Sequence, residues 1–543
     1  MPLTRTLVRN IVSNWAGYAV HIAVAFFLTP YILDSLGETH YGIWALVIGV
    51  TGYYGLLDLG VASGMTQYLT RYLASNDIDK LNRSASTSFA VLSGIGFLVF
   101  VGSLIIAFSA SSLFRIQAAS PSEVAWVFAV TGTSVALQFV FFTRSAVFTA
   151  VQRFDLSNVI GISTRILSAG ATIICLKAGY DLIGLSLVVA GTNVLDYLIR
   201  WHVAGRLLPA MKISPKLVNR ESLREVVSFG IWNSVSAGSV RLFSYTDAVV
   251  IAAFMPVAAV APFAIAANLR SYFEDIFTRV GYVFFPAATE LDAQGDRDGL
   301  RKLYLIGSKF MFLGSILCGS IAICWARDFF YLWIGAVYAE PSAYPSVAIL
   351  FYLLALGSIV SVAQRIGYQV LLGMRQVGLL AGLFALEGVS NLLVSVVLVR
   401  NYGLLGVALG TVVPAFVCHG FLQPYFVCRS LEISLKMYCR EVLVRPTIVS
   451  LALAPLLVSL SFLGPAIDWA SLCLRASLSL AIALPVALLV GLTKRERGSL
   501  LVRPVVGAIR LRAFGASRRR HVDSIKAADG ERYAKILTGK NLH

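Results

Sequence analysis

Charged residues are scarce in this sequence: Asp, Glu, Lys and Arg together make up 13% of its 543 residues. Soluble domains carry about twice that share, so the scarcity excludes a large soluble protein. Hydrophobic residues account for 57% of the chain, and its mean hydropathy is +0.77. A chain of this composition is expected to cross a membrane many times.

Residues that build reactive centres are equally sparse. The seven cysteines are scattered without a CxxC pair, which argues against a disulfide framework or a zinc ribbon. Of six histidines only His21 and His419 fall within apolar runs, so no metal site and no cofactor is expected. The chain has no GxxxxGK[ST] phosphate loop and no Ser/His/Asp or paired-carboxylate arrangement. It is therefore not expected to hydrolyse ATP or to act as an enzyme.

Long apolar runs are what the sequence has in abundance. A helix of about 20 apolar residues crosses the hydrocarbon core of a bilayer, and about fourteen runs reach that length. They predict an all-α polytopic membrane protein. The predicted spans are 11–33, 41–64, 85–109, 123–147, 157–177, 182–203, 226–252, 258–286, 304–325, 344–365, 377–399, 404–427, 443–463 and 470–493.

Basic residues are distributed unevenly between the two sides of this predicted topology. If residue 1 is cytoplasmic, the inner segments contain the great majority of the Lys and Arg residues, as the positive-inside rule requires. Both termini are therefore expected in the cytoplasm. The net charge of +17 indicates topology and contact with anionic lipids rather than nucleic-acid binding. The outer connections contain only Arg115, Lys177, Arg327, Arg400 and Arg475.

The sequence also repeats itself. The stretch YDLIGLSLVV from Tyr180 matches YGLLGVALGT from Tyr402, 222 residues later, and the same spacing places Arg153 on Arg375. Six spans per copy make the two copies parallel, with two further spans after them. The predicted division is a six-helix bundle at 1–203, a basic cytoplasmic linker at 204–225, a second six-helix bundle at 226–427, two additional spans at 428–493 and a basic cytoplasmic tail at 494–543.

Arginines inside the predicted spans are the first candidate site residues. A charge at membrane depth must face protein or water, and the planar guanidinium suits phosphate oxygens. Arg144 and Arg365 lie at similar heights in the two copies, where they are expected to form a cationic vestibule open to the cytoplasm. The residues predicted to line a polar lumen are Arg144, Arg241, Arg270, Arg279, Arg365 and Asn268.

Carboxylates in the spans are candidates for carrying a coupling ion, and they are Asp58, Asp247, Glu274 and Asp275. Arg270–Glu274 and Asp275–Arg279 have the i,i+4 spacing of helical ion pairs. The repeat spacing also places Arg165 opposite Glu387, as a pair between the two halves. Structural ion pairs, or side chains that snorkel to the interface, would explain the same charges without a role in transport.

The stretch RNIVSNWAGYAVHIAVAFFLTPYILDSLGETHYGIWALVIGVTGYYGLLDLGVASGMTQYL from Arg9 resembles the opening of bacterial O-antigen and exopolysaccharide flippases. These belong to the multidrug/oligosaccharidyl-lipid/polysaccharide exporter superfamily, and the resemblance continues through the YDLIGLSL/YGLLGVAL repeat to about residue 490. It implies two bundles around a central cleft in the bacterial cytoplasmic membrane. The implied substrate is an oligosaccharide on polyprenyl pyrophosphate, moved from the inner to the outer leaflet by alternating access. Membrane lipids, a glycan polymerase and export machinery are the other implied partners.

Other functions also remain open. A cation-coupled drug antiporter of the same superfamily would need an acidic lumen, which the abundant arginine disfavours. A flippase for a lipid-linked peptidoglycan precursor would use the same diphosphate chemistry. A membrane protein that assembles glycans without transporting them would also fit, although the short outer loops disfavour a polymerase.

Overall fold

The computed structural model describes residues 3–114, 116, 119–340, 343–462, 464–494, 496 and 497, and all the regular structure within these ranges is helical. Most of the predicted tail at 494–543 therefore lies outside the described residues. The α-helices are α1 Leu3–Gly52, α2 Val61–Ala74, α3 Ile78–Leu113, α4 Pro121–Ala150, α5 Phe154–Lys177, α6 Leu182–Leu207, α7 Arg220–Phe254, α8 Val260–Tyr282, α9 Phe285–Ala293, α10 Arg297–Ile334, α11 Ala336–Ala339, α12 Val347–Ala363, α13 Arg365–Gly373, α14 Val377–Val417, α15 Gln423–Leu431, α16 Leu435–Tyr438, α17 Val444–Ser461 and α18 Trp469–Gly491.

The fourteen predicted crossings are confirmed. Ten helical stretches in the described part of the chain are long and apolar enough to span a membrane. Two of them, Val12–Asp58 and Val377–Leu431, each contain two crossings. The backbone leaves helical geometry within these stretches at Gly37 (φ 74°) and Gly403 (φ 55°), a left-handed region that glycine enters without steric cost. The other two predicted crossings coincide with α7 and α8, which are long helices but are less apolar than these ten stretches.

The second crossing is broken, which hydropathy alone did not predict for the span 41–64. Residues Tyr53–Asp58 form a 3₁₀ turn, and Leu59 and Gly60 then adopt left-handed conformations before α2 begins at Val61. The Asp58 carboxylate accepts the Ala62 N–H at 2.9 Å, which satisfies one of the free donors at the start of α2. Gly60 is thus a turn residue.

The two halves repeat their turns as well as their helices. Asn76 and Gly295 both have positive φ, and each is followed by an aspartate, Asp77 or Asp296, whose carboxylate caps the next helix. The turn before α5 matches the turn before α14 in the same way. In these turns the residues with positive φ are Gln152 (φ 54°) and Arg375 (φ 59°), so they occupy equivalent positions in the two halves. The predicted alignment of Arg153 with Arg375 is therefore wrong by one residue.

Among the residues that the structure describes, one large hydrophobic core joins the halves, and it lies at one end of the molecule. A single core contains Leu33 and Ile43 of the first half together with Phe330, Phe351 and Leu404 of the second. Trp333 also donates its indole N–H to the Phe26 carbonyl at 2.7 Å. We call this the closed end. At the opposite end, where the Lys- and Arg-rich connections lie, each half has a separate core. We call this the basic end.

The connection between the halves is a fixed segment. It is shorter than the predicted linker 204–225, because α6 continues to Leu207 and α7 begins at Arg220. Buried side chains of α3 accept hydrogen bonds from its backbone along most of its length. The bonds run from Lys212 N–H to Asn82, from Ser214 N–H to Ser86 and from Asn219 N–H to Thr87, at 2.8, 3.0 and 3.2 Å.

Helix α7 is attached to both halves. Near its start, Glu225 accepts a hydrogen bond from the Tyr72 hydroxyl at 2.7 Å, and the Val226 carbonyl lies against Gly64 of α2. Near its end, Asp247 accepts a hydrogen bond from Thr411 of α14 at 2.9 Å. The basic end of α7 therefore belongs to the first half, and its other end to the second.

The segment after α18 neutralises a buried charge. Lys309 of α10 is 1% exposed, and both carboxylate oxygens of Glu496 lie 2.9 Å from its ammonium nitrogen. Thr493 donates its N–H and its hydroxyl to the same carboxylate, at 2.7 and 2.8 Å. A lysine at this depth needs such a counter-ion, so the residues after the last crossing form part of the fold.

Replacing Glu496 by Gln is expected to destabilise the protein by about 3 kcal/mol, because it leaves the Lys309 ammonium buried without a negative partner. The double variant Lys309→Met with Glu496→Gln should recover most of that loss. Thermal unfolding in detergent measures both, and Lys302→Met, at an exposed position on the same helix, is the matched control. Equal stability of the single and double variants would contradict the pairing.

Replacing Gly42 by Ala is expected to loosen the closed end. A methyl group there would collide with the Val257 backbone carbonyl of the second half, which has no side-chain freedom to move away. Overpacking of this kind costs about 1–3 kcal/mol. The distance between spin labels at Tyr180→Cys and Val337→Cys, one on each half, should lengthen. Gly102→Ala, where the added methyl meets open space, should leave that distance unchanged.

Candidate functional site

A polar cavity lies between the first half and α8 of the second half. We call it the arginine cavity, and its volume is about 340 Å³. A neighbouring cavity of about 540 Å³ shares four of its lining residues and extends the polar space toward the closed end. Both volumes fall within the range of small-molecule sites. The residues that carry polar chemistry into the arginine cavity are Asn14, Tyr18, His21, Asn158, Arg165, Arg200 and Arg279.

Helices α1 and α8 bring the two halves together at this cavity. The Tyr18 hydroxyl of α1 donates to the Tyr272 carbonyl of α8 at 3.3 Å, and the His21 ring meets the Tyr272 ring edge-on at 5.9 Å. The Arg279 guanidinium lies over the Tyr18 ring, 3.9 Å from its centroid. The cavity therefore depends on the relative position of the halves.

Arg200 is a fully partnered arginine of this cavity. Its guanidinium bonds to Asp196 at 2.5 Å and to the Ser157 hydroxyl at 2.6 Å, while Asp196 also accepts from Thr164 at 3.0 Å. This network neutralises the Arg200 charge and fixes α6 against α5. The sequence prediction missed it, although the i,i+4 spacing of an aspartate and an arginine in an apolar span was a visible signal.

Arg165 and Arg279 present the uncompensated charge. In the described part of the chain, neither guanidinium forms an ion pair with a carboxylate, and the Arg279 Nε lacks a hydrogen-bond partner. The predicted pair of Asp275 with Arg279 therefore does not form a direct contact. A guanidinium that faces a polar cavity without a carboxylate is available to an anionic ligand.

The opposite face of α8 carries a compact charge cluster. Glu274 lies 3.6 Å from Arg270 and 3.0 Å from Arg365, and it accepts the Ser358 hydroxyl at 2.6 Å. The predicted pair of Arg270 with Glu274 is confirmed. Two arginines thus converge on one carboxylate, and the cluster retains one formal positive charge.

Arg241 and Asp58 lie in a separate cavity of about 410 Å³, beside the broken second crossing. Arg241 donates to the Gly52 carbonyl at 3.3 Å and lies so close to Gly55 that a larger residue there would collide with its guanidinium. The glycine-rich break in the second crossing thus makes room for this arginine.

Asp247 and Asn268 line a third cavity, of about 280 Å³, between the halves. One Asp247 oxygen accepts from Thr411, whose hydroxyl in turn accepts from Asn391 at 3.0 Å. The second Asp247 oxygen has no hydrogen-bond partner in the described structure, although the residue is only 8% exposed.

Two predicted relationships between the halves are wrong. Glu387 pairs with His419 at 3.1 Å, not with Arg165, which lines the arginine cavity. Arg144 and Arg365 do not form a symmetric vestibule either. Arg144 stacks on Trp201 within the first half at 4.6 Å, whereas Arg365 is paired with Glu274 in the second. The repeat relates positions along the chain, but it does not fix which way each side chain points.

The fold resembles those of solved membrane proteins. Lipid II flippase MurJ in an inward closed conformation aligns over 91% of this chain and 100% of its own length, with a TM-score of 0.67 and 12% identity. An inward-facing multidrug resistance MATE family transporter of the MOP superfamily aligns over 75% of this chain and 95% of its own, with a TM-score of 0.62 and 15% identity. These likenesses establish the all-helical, multi-pass fold of this chain.

Sequence comparison identifies the family. The Putative O-antigen transporter of Shigella flexneri is 22% identical over 410 residues, which are 74% of this chain and 94% of that protein. Residues 7–292, more than half of the chain, match the family described as Polysaccharide biosynthesis protein. The chain belongs to that polysaccharide biosynthesis family.

Proposed function

We propose that this protein is a flippase that moves an oligosaccharide linked to polyprenyl diphosphate from the cytoplasmic to the outer leaflet of the bacterial inner membrane. One observation carries the proposal. Arg165 and Arg279, one from each half, face a polar cavity without ion-pair partners among the described residues. That cavity lies between halves that are packed together at one end and separate at the other.

The charge around α8 suits a diphosphate. Arg165 and Arg279 bring two positive charges to the arginine cavity without an ion-pair partner among the described residues, whereas Arg270 and Arg365 are held by Glu274 on the opposite face of α8. A diphosphate diester carries about two negative charges, and the arginine fork can donate two parallel hydrogen bonds to its oxygens. The substrate would then replace water as the partner of these guanidinium groups.

The uncharged lining suits sugar hydroxyls. Asn14, Asn158, Ser168, Thr192 and Asn193 offer amide and hydroxyl groups around the arginines and in the adjoining cavity. Such groups both donate and accept hydrogen bonds, as sugar hydroxyls do. The polyprenyl chain needs no polar partner and can remain in lipid beside the protein.

The membrane potential can drive this movement without ATP. With the inside negative, outward transfer of one negative charge is favoured by about 2.3 kcal/mol per 100 mV, and of two by about 4.6 kcal/mol. Alternating access then requires the closed end to open while the basic end closes around the diphosphate. The Trp333–Phe26 contact and the shared core are the interactions that must separate.

The same cavity disfavours a cationic drug as substrate, because its uncompensated groups are arginines. A lipid-linked peptidoglycan precursor shares the diphosphate chemistry, and it differs from the proposed substrate only in the glycan. Complementation of strains that lack either flippase therefore separates the two: rescue of polysaccharide export alone supports the proposal, and rescue of peptidoglycan synthesis replaces it.

Arg165→Ala and Arg279→Ala are each expected to reduce polysaccharide export about tenfold or more, since a hydrogen bond to a charged group is worth about 1.5–3 kcal/mol. Lysine at either position should restore only part of the activity, because it keeps the charge and loses the planar fork. Surface polysaccharide measures export, and immunoblotting of membrane fractions measures insertion.

Arg327→Ala is the matched control for these variants, because Arg327 is exposed and paired with Glu340 outside the cavity. It should export normally. Full export by both single alanine variants, at normal membrane levels, would exclude the cavity as the diphosphate site.

Among the four carboxylates expected to carry a coupling ion, we propose Asp247. Asp58 caps a helix and Glu274 is paired with two arginines, whereas Asp247 is buried with one oxygen unpartnered.

Asp247→Asn is expected to abolish the dependence of export on a proton or sodium gradient, while Asp79→Asn, at an exposed position, should preserve it. Export assayed in reconstituted vesicles with imposed gradients tests this, and an unchanged ion dependence in Asp247→Asn would reject the assignment.

A further inference from the structure

A chain of polar side chains crosses the second half away from the arginine cavity. His419 lies in a π-helical stretch, Cys418–Leu422, between α14 and α15. Its Nε2 lies 3.1 Å from the Glu387 carboxylate, and its Nδ1 lies 2.7 Å from Oε1 of Gln423. The Gln423 amide nitrogen donates in turn to the Gln364 backbone carbonyl at 3.0 Å.

These contacts place one shared proton on the His419–Glu387 pair. A backbone carbonyl can only accept, so the Gln423 atom that bonds to Gln364 must be the amide nitrogen, and the oxygen must face His419. Both ring nitrogens of His419 therefore face acceptor oxygens. With the Glu387 carboxylate ionised, only the imidazolium form, with a proton on each nitrogen, satisfies both contacts.

The local backbone depends on the same contacts. A π-helical turn is uncommon and needs stabilising partners, and here its two ends bear His419 and Gln423. Gln364 is the residue that separates α12 from α13, and its side-chain amide donates to the buried Tyr438 hydroxyl at 2.6 Å. If the His419 ring lost one proton, the lone pair of that nitrogen would face an acceptor oxygen and repel it. This repulsion would strain the junction between α12 and α13.

The chain continues to the charge cluster of α8. Arg365, next to Gln364, is paired with Glu274, which also contacts Arg270. Two ionisable groups on neighbouring helices interact electrostatically with His419, namely Glu387 of α14 and Arg365 of α13. Glu274 of α8 also interacts with His419, and the Cys418 thiol interacts with Glu387. The apolar ring of Phe384 also lies beside His419.

We propose that His419 is a proton-binding site whose occupancy controls the equilibrium between the two access states. With the proton bound, His419 holds Glu387, Gln423 and Gln364 in the arrangement described, with the closed end sealed. When the proton leaves the ring for water, Glu387 loses its buried cation and Gln423 loses its donor. The α12–α13 junction and Arg365 are then released, which favours opening of the closed end. The role in transport rests on the flippase proposal, but the proton site does not.

The proton site can be tested on the unaltered chain. The sequence contains one Cys–His pair, Cys418–His419. Labelling cysteine with ¹³C and histidine with both ¹³C and ¹⁵N therefore identifies the His419 backbone amide in nuclear magnetic resonance spectra and, through the histidine carbons, its ring. We expect both ring nitrogens to be protonated at about pH 6, with one proton lost as the pH rises toward about pH 9. A ring that keeps one protonation state over this range would overturn the proposal.

The conformational consequence needs a second measurement, made without substrate. The distance between spin labels at Tyr180→Cys and Val337→Cys measures how far the closed end has opened. The labels are introduced into a chain in which the exposed and half-buried cysteines are replaced, while the buried Cys418 and Cys428 are kept. The label distance should lengthen as the pH rises. His419→Gln should abolish this change, and Glu387→Gln should move its midpoint to lower pH by about one unit or more, because the imidazolium loses its negative partner.

His202→Gln is the matched control, since His202 is an exposed histidine of the first half, and it should titrate like the unaltered chain. A pH response that persists unchanged in His419→Gln would exclude the proposed switch. These distances are measured without transport, so they do not depend on the outcome of the arginine variants. Conversely, loss of export in Arg279→Ala with a normal pH response would leave both proposals standing.

Discussion

A charged side chain at membrane depth must find a partner or face water, and this constraint determines how the interior of the protein is arranged. Lys309 is neutralised by Glu496, which lies beyond the last crossing, and Arg200 is neutralised by Asp196 within its own helix. Arg165 and Arg279 have no such carboxylate among the described residues and face a cavity instead. The distinction between paired and cavity-facing arginines separates structural charges from candidate binding charges.

The same requirement explains where the helices are interrupted. Backbone groups released from a helix at membrane depth need partners inside the protein or beside a cavity. The break at Tyr53–Asp58 borders the Arg241 cavity, with Asp58 capping α2. The break at Gln364 is tied to Gln423 across the second half. Each interruption therefore adjoins charged or titratable residues.

The sequence alone predicts the large-scale fold well, because apolar length and the distribution of basic residues act at the scale of whole helices. It predicts the fourteen crossings and the pair of repeats, and two of its candidate site residues, Arg279 and Asp247, line cavities in the structure. It fails at the break in span 41–64, where glycines and a capping aspartate outweigh hydropathy. It also fails wherever two side chains from distant helices meet: the partner of Glu387 is His419, and no spacing along the chain indicates that pair.

The attachment of α7 has a consequence for how the halves can swing. Its beginning is held by Tyr72 and by a connecting segment bonded to α3, and its end is held by Thr411. Helix α7, which connects the halves, is therefore held by hydrogen bonds near both of its ends and is not a flexible linker. Any rotation of one half against the other must twist α7 itself. Lengthening the connecting segment would therefore not increase the range of that rotation.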